Sequence, residues 1–258
     1  MADAFLTSIL GEANKMILKE SLQLRVPMLF EVALFAYCIQ VCIGRRNLIA
    51  KQNAAQGIAE AALAAFGGGI MVPVLLHDQN IHVFPLAYDY AILFMASSFF
   101  LVHHFPAVCD IVEGVTILKV TFSSLFELAR CRIMLTWLTH ANMVLPASNF
   151  PFPVIGPIVC GTLGGCGGAL IVGGGLKALA KPSRGMYTAF FVSMAYHALV
   201  HCARMLSASD GACLAACVFV AFRIHDAVDA PSTAAAAKPQ RRSRRIATRS
   251  SARKSKGD

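Results

Sequence analysis

The stretch Ala61-Ala62-Leu63-Ala64-Ala65-Phe66-Gly67-Gly68-Gly69-Ile70-Met71-Val72-Pro73-Val74-Leu75-Leu76 decides the fold. It carries no charge and is apolar on every side of a helix. Together with the residues from 57 onward it is long enough to cross a bilayer, since a helix advances about 1.5 Å per residue and the hydrocarbon core is roughly 30 Å thick. Six further runs read the same way, which predicts spans at 24–44, 57–76, 88–109, 119–140, 153–176, 186–206 and 211–228.

The whole chain agrees with this reading. Of its 258 residues 57% are hydrophobic and only 14% charged, whereas soluble domains run near 45–50% and about 25%. Mean hydropathy is +0.61. A soluble enzyme, a disordered chain and a collagen-like repeat are excluded; an all-α integral membrane protein is what remains. Nine cysteines lie almost wholly inside the apolar runs without a CxxC pair, so they read as small buried hydrophobes.

The net charge of +9 resolves into two parts. Residues 1–229 hold 14 Lys/Arg against 13 Asp/Glu, while residues 230–258 hold nine against Asp258 alone. Cations therefore mark orientation rather than a nucleic-acid surface. Loop 45–56 carries Arg45, Arg46 and Lys51, and loop 177–185 carries Lys177, Lys181 and Arg184. The alternate loops 77–87, 141–152 and 207–210 carry none. This pattern puts the C-terminus in the cytosol and residues 1–23 on the other side, as a segment without a cleavable-signal pattern. The region 110–118 departs from the rule, because it holds Asp110 and Glu113 where cations are expected.

Three short matches recur in order. Phe30-Glu31-Val32-Ala33 answers Phe126-Glu127-Leu128-Ala129 at 96 residues, Gly68-Gly69 answers Gly167-Gly168 at 99, and Leu101-Val102-His103 answers Leu199-Val200-His201 at 98. They fall in corresponding spans and indicate a duplication of a three-span unit. An odd number of spans makes the second copy enter the membrane from the opposite side, the inverted repeat of transport proteins. The expected organisation is a first repeat over 24–109, an inverted second over 110–206, a seventh helix over 207–228 and a disordered basic tail over 229–258. Gly67, Gly68 and Gly69 in span 2, and Gly165, Gly167 and Gly168 in span 5, are the matched candidates for broken helices lining a pathway. Close helix packing is the competing reading, since Gly161/Gly165 and Gly164/Gly168 are both GxxxG pairs. The matched placement favours the pathway.

Ionisable groups at helix centres cost about 2.5–3.5 kcal/mol and so face a partner or a cavity. Span 4 holds Glu127, Arg130 and Arg132. Glu127 and Arg130 are i,i+3 neighbours able to pair; Arg132 points elsewhere and needs another partner. Arg204 and Arg223 lie toward span ends, where snorkelling to the headgroups is expected. His197 and His201 share a face at i,i+4, a spacing that suits a metal, but with no acidic residue between them hydrogen-bonded histidines are the commoner outcome, and no metal site is assigned.

The string Thr139-His140-Ala141-Asn142, preceded by Glu127-Leu128-Ala129-Arg130, resembles the trimeric intracellular cation (TRIC) channels. Their fourth span carries Lys-Glu-Val-x-Arg and ends in Thr-His-Ala-Asn. Phe66-Gly67-Gly68-Gly69-Ile70 and Gly165-Cys166-Gly167-Gly168 resemble the glycine hinges of the family, and Ala96-Ser97-Ser98 and Pro106 also fit. The likeness runs from about Pro27 to Ile224. It implies a homotrimer with a pore in each protomer, seven spans in a three-plus-three-plus-one inverted repeat, and residence in endoplasmic or sarcoplasmic reticulum or nuclear membrane. It also implies potassium-type conduction as counter-current to calcium release, with no cofactor beyond a bound phosphoinositide lipid near the pore. By position the motif glutamate is Glu127 and its arginine Arg130, while the motif lysine is replaced by Phe126. Lipid coordination then rests on Arg130 alone, on Lys119 lower in the span, or is lost.

The tail includes Arg241-Arg242-Ser243-Arg244-Arg245 and fits a cytosolic polybasic segment attracted to anionic lipid. The sequence thus points to a cation channel and not an enzyme. A secondary transporter of the same inverted architecture is the main alternative; a seven-helix receptor is disfavoured because the last span has no lysine for a retinal linkage.

Overall fold

The computed structural model describes residues 27–49, 52–77, 86, 89–147 and 150–229. The N-terminal segment 1–23 and the basic tail from residue 230 lie outside them. The described residues are helical: α1 Pro27–Ile49, α2 Ala54–Leu76, α3 Asp89–His104, α4 Pro106–Gly114, α5 Thr116–Val144, α6 Ile155–Val172, the short α7 Leu176–Ala180, α8 Arg184–Tyr196 continuing as a π-helical turn His197–Cys202, and α9 Ala208–Asp229. Asn53 caps α2 by accepting the Gln56 N–H at 2.8 Å.

Helices α2, α6 and α9 are, by length and composition, able to cross a membrane, and the bent pair α3–α4 makes a fourth candidate. Of the other expected spans, α1 holds Glu31, Arg45 and Arg46, α5 holds Lys119, Glu127, Arg130 and Arg132, and the run 186–206 is divided between the 13-residue α8 and the π-helical turn. Large apolar side chains such as Val74, Leu93, Phe100 and Ile117 face outward at more than half exposure, as a lipid-facing surface requires. The cysteines behave as read: all are free, and seven of the nine are buried.

Three expected features take a different form. The run 88–109 is not straight, because α3 and α4 meet at Phe105 with a 93° bend. Pro106 is the cause: it has no N–H to continue the ladder and starts a new helix at its first position. The run 153–176 is helical only to Val172, and a glycine turn at 173–175, with Gly174 and Gly175 at positive φ, redirects the chain. The acidic region after span 3 is compensated by contact, since Arg46 at the end of α1 lies 3.6 Å from Asp110 and 3.4 Å from Glu113 of α4. The misplaced acids and Arg46 therefore sit on one side of the molecule.

The two halves meet along α1 with α5 and α2 with α6. At the second of these contacts the glycines do not interrupt either helix. They let two unbroken helices cross backbone to backbone. A Cβ on Gly67 would lie 2.8 Å from the Gly168 Cα, one on Gly167 would overlap the Gly68 Cα, and one on Gly168 would overlap the Ala64 carbonyl oxygen. Without a hydrophobic driving force inside lipid, such close approach supplies the dispersion contacts that hold spans together.

Replacing Gly168 by alanine should force the crossing apart and cost on the order of 1–3 kcal/mol or more. Gly44, where an added Cβ would meet nothing within 4 Å, should accept alanine without loss. Thermal unfolding of the two variants in detergent, followed through the single tryptophan, Trp137, checks the contrast.

Candidate functional site

A cavity of about 380 Å³ opens where the two halves meet, walled by Tyr37 and Ala65 from the first and by Glu127, Arg130 and Gly164–Ala169 from the second, with Gly185, Phe219 and Arg223 closing it. Its centre is Arg130. Both Arg130 and Glu127 are buried, at 8% and 6% exposure, in the middle of α5, where the i,i+3 spacing stacks them on one face.

The guanidinium uses every edge. Nε donates to the Gly165 carbonyl at 2.6 Å, Nη1 donates to Glu127 Oε2 at 2.9 Å, and Nη2 donates to the Gly185 carbonyl. The Phe219 ring lies 5.0 Å below Cζ, within cation–π range. One side chain on α5 thereby ties α6, the first turn of α8 and α9 together. Glycine leaves room at the α8 contact: a Cβ on Gly185 would crowd the guanidinium at 3.2–3.4 Å. Gly165 is likewise tight, because a Cβ there would meet Ala189 Cβ at 3.1 Å.

The first half places a neutral bond at a similar level. Tyr37 Oη donates to the Ala65 carbonyl at 2.7 Å, one turn before the α2–α6 crossing. Its ring stacks on Phe126, centroid to centroid 4.8 Å at 19°. Arg223 approaches the same Phe126 ring at 5.8 Å. The aromatic ring at the motif lysine position thus bridges α1 and α9, and a cation is present beside it, supplied by α9. Arg223 lines the cavity rather than snorkelling outward, and its buried Nε has no hydrogen-bond partner. Arg184 is also on the wall, 5.8 Å from the Phe222 ring.

The other expected residues separate. Arg132 lies over the Phe30 ring of α1 at 4.7 Å and lines a second cavity with Thr139 and His140, so an aromatic ring covers its charge. Lys119 is half-buried near the start of α5 and does not line the central cavity. Glu31 is exposed, unlike its counterpart Glu127. All six predicted glycines are buried, and five of them (Gly67, Gly68, Gly165, Gly167 and Gly168) make close contacts across helices. Tyr37, Gly185 and Phe219 were not readable as site residues, because each matters only through a contact many residues away in sequence.

No family model and no curated protein matches the chain. Solved structures do. A trimeric intracellular cation channel from C. elegans in the absence of Ca2+ aligns with a TM-score of 0.60 at 20% identity, over 76% of this chain and 88% of that one. The same channel with bound Ca2+ aligns at 0.60 and 18% identity, over 81% and 95%. A structure of a TRIC counter-ion channel active in calcium release aligns at 0.63 and 20% identity, over 77% and 93%. The chain therefore has the TRIC channel fold.

Removing one member of a buried ion pair strands the other charge and costs on the order of 3–5 kcal/mol. Glu127→Gln should accordingly lower thermal stability well beyond the effect of Glu31→Gln at its exposed counterpart. Parallel unfolding curves of the two purified variants decide the comparison.

Proposed function

We propose that the chain is a monovalent cation channel of the potassium type in an intracellular membrane, with current through it balancing the charge moved by calcium release. In this reading the protein crosses the membrane seven times in a three-plus-three-plus-one inverted arrangement. It works as a homotrimer with one pathway per protomer, resides in reticulum or nuclear membrane, and keeps its C-terminus in the cytosol. The observation that carries the reading is the arginine-closed cavity at the α2–α6 glycine crossing, inside a fold shared with cation channels.

In this reading the arrangement is the closed one. Arg130, Arg184 and Arg223 line the cavity against the single carboxylate of Glu127, and in a low-dielectric interior that excess repels an entering cation. Opening requires Arg130 to leave its three acceptors. Hydrogen bonds to charged groups contribute about 1.5–3 kcal/mol each, whereas one charge crossing the field gains about 2.3 kcal/mol per 100 mV. Voltage acting on Arg130 alone falls short, so other acceptors must take over as it moves. An anionic headgroup is the chemistry that supplies them. A phosphoinositide held by Arg130 and Arg223 serves this role, with Arg223 beside Phe126 standing in for the missing lysine.

Recording from the purified protein in planar bilayers tests the proposal. Unitary currents are expected in symmetric potassium, and bi-ionic potassium/sodium solutions give the selectivity; saturable uptake without unitary events would instead mean a transporter. Arg130→Gln should change open probability or its voltage dependence by tenfold or more, and wild-type gating in this variant would reduce the Glu127–Arg130 pair to a structural staple. Arg223→Gln should weaken activation by phosphoinositide while leaving unitary conductance unchanged.

A further inference from the structure

The inner faces of α3 and α8 correspond at 98 residues, and they differ in one respect. Ala91, Met95, Phe99 and His103 on α3 stand where Ala189, Ser193, His197 and His201 stand on α8 and its π-helical turn. Ala91, Met95 and Phe99 are all buried, so the first half fills this space with apolar side chains. The second half buries Ser193 and His197 there, at 0% and 1% exposure. The fold itself does not call for polarity at these positions.

The polar atoms are left short of protein partners. Ser193 Oγ, the ring nitrogens of His197, His201 Nε2 and Asn142 Oδ1 are buried with no well-aligned hydrogen bond; the Pro153 carbonyl can accept one His197 N–H, which leaves the other ring nitrogen free. Each such group costs about 1–3 kcal/mol if nothing meets it, which is why orphaned buried groups mark bound species. The two imidazoles face each other with centroids 5.4 Å apart. Asn142 at the end of α5 stands at the other edge of His201, its side-chain amide 3.4 Å from Nδ1; with the amide turned so that its orphaned oxygen accepts the Nδ1–H, Nε2 is left as a bare acceptor. The backbone here is π-helical, with the Ala203 N–H bonded to the Ala198 carbonyl five residues back at 2.8 Å, a form that recurs at functional sites.

We propose that His197 and His201 bind a first-row transition metal ion of the zinc type at this end of the bundle, with Asn142 as the positioning residue that fixes the His201 tautomer. Bare imidazole nitrogens are the ligands such ions prefer, and an amide on the far nitrogen orients a metal-binding histidine as other hydrogen-bonding partners do. Among the described residues no three His, Cys, Asp or Glu side chains gather at one point. Two imidazoles with water completing the shell make a weak, reversible site suited to regulation rather than to holding the fold. His201 is only half-buried and gives the ion its way in.

The test uses the full chain, without a polyhistidine tag, in lipid nanodiscs. Zn2+ is titrated by calorimetry, and Co2+ is followed by its ligand-field absorption. One equivalent per protomer is expected, weakened at least tenfold in His201→Gln and in His197→Phe. The latter carries the residue of the first half and should keep its thermal stability. Asn142→Ala should weaken binding several-fold and shift the Co2+ bands without changing stoichiometry, and His103→Gln on the exposed counterpart should change nothing. Absence of binding to the wild-type chain, as a purely hydrated pocket would give, overturns the proposal, as does Co2+ absorption unaffected by His201→Gln. Neither readout depends on ion conduction.

Discussion

A fully buried guanidinium is costly unless its edges are occupied, and much of this structure follows from satisfying Arg130. Its three acceptors come from α5, α6 and the start of α8, and its face is covered by α9. Unpaired, such a group is among the costliest a bilayer interior can hold. Packed this way, it fixes the mutual position of four elements that apolar contact alone would leave free to slide. Two of the acceptors are glycine carbonyls, which lets the cation reach backbone that a side chain would shield.

The glycines serve that same geometry. The crossing of α2 and α6 brings the first half of the molecule against the helix whose Gly165 carbonyl Arg130 holds. Neither helix breaks there, so the exposed backbone of the site consists of carbonyls drawn aside by Arg130 and Tyr37 rather than of unwound chain. Arg130 and the crossing thus share one helix, α6, and each touches its backbone directly.

Much of this was legible in the sequence for reasons that can be named. Apolar run length gave helix positions to within a few residues, because a bilayer imposes one length on every span. The Glu127–Arg130 pair was legible because i,i+3 spacing alone brings the two together. What escaped depends on partners distant in the chain. Arg223 reads as a snorkelling end-of-helix cation until Phe126 is seen beneath it, and Arg132 reads as unpartnered until Phe30 is placed against it. The glycine runs looked like breaks because glycine permits both kinking and close approach, and composition does not distinguish them; the facing glycine on the other helix does. Only the bend at Phe105 had a local signal, Pro106, strong enough to have been read as a break.

The positions that correspond at 96 residues are put to different uses. Phe30 and Phe126 match at 96 residues, and each carries an arginine from a later helix, Arg132 and Arg223 respectively. At the same offset Glu31 matches Glu127 and Leu34 matches Arg130. Leu34 is fully buried and Glu31 is exposed, so the first half keeps an apolar core where the second built a buried ion pair. Tyr37, one turn on, bonds a helix carbonyl through a neutral hydroxyl, where Arg130 does so with a charge. An electric field or an anion acts strongly on Arg130 and hardly at all on Tyr37. The two positions thus differ in kind: a neutral bond holds one helix carbonyl, and a charge that an anion or a field can act on holds the other.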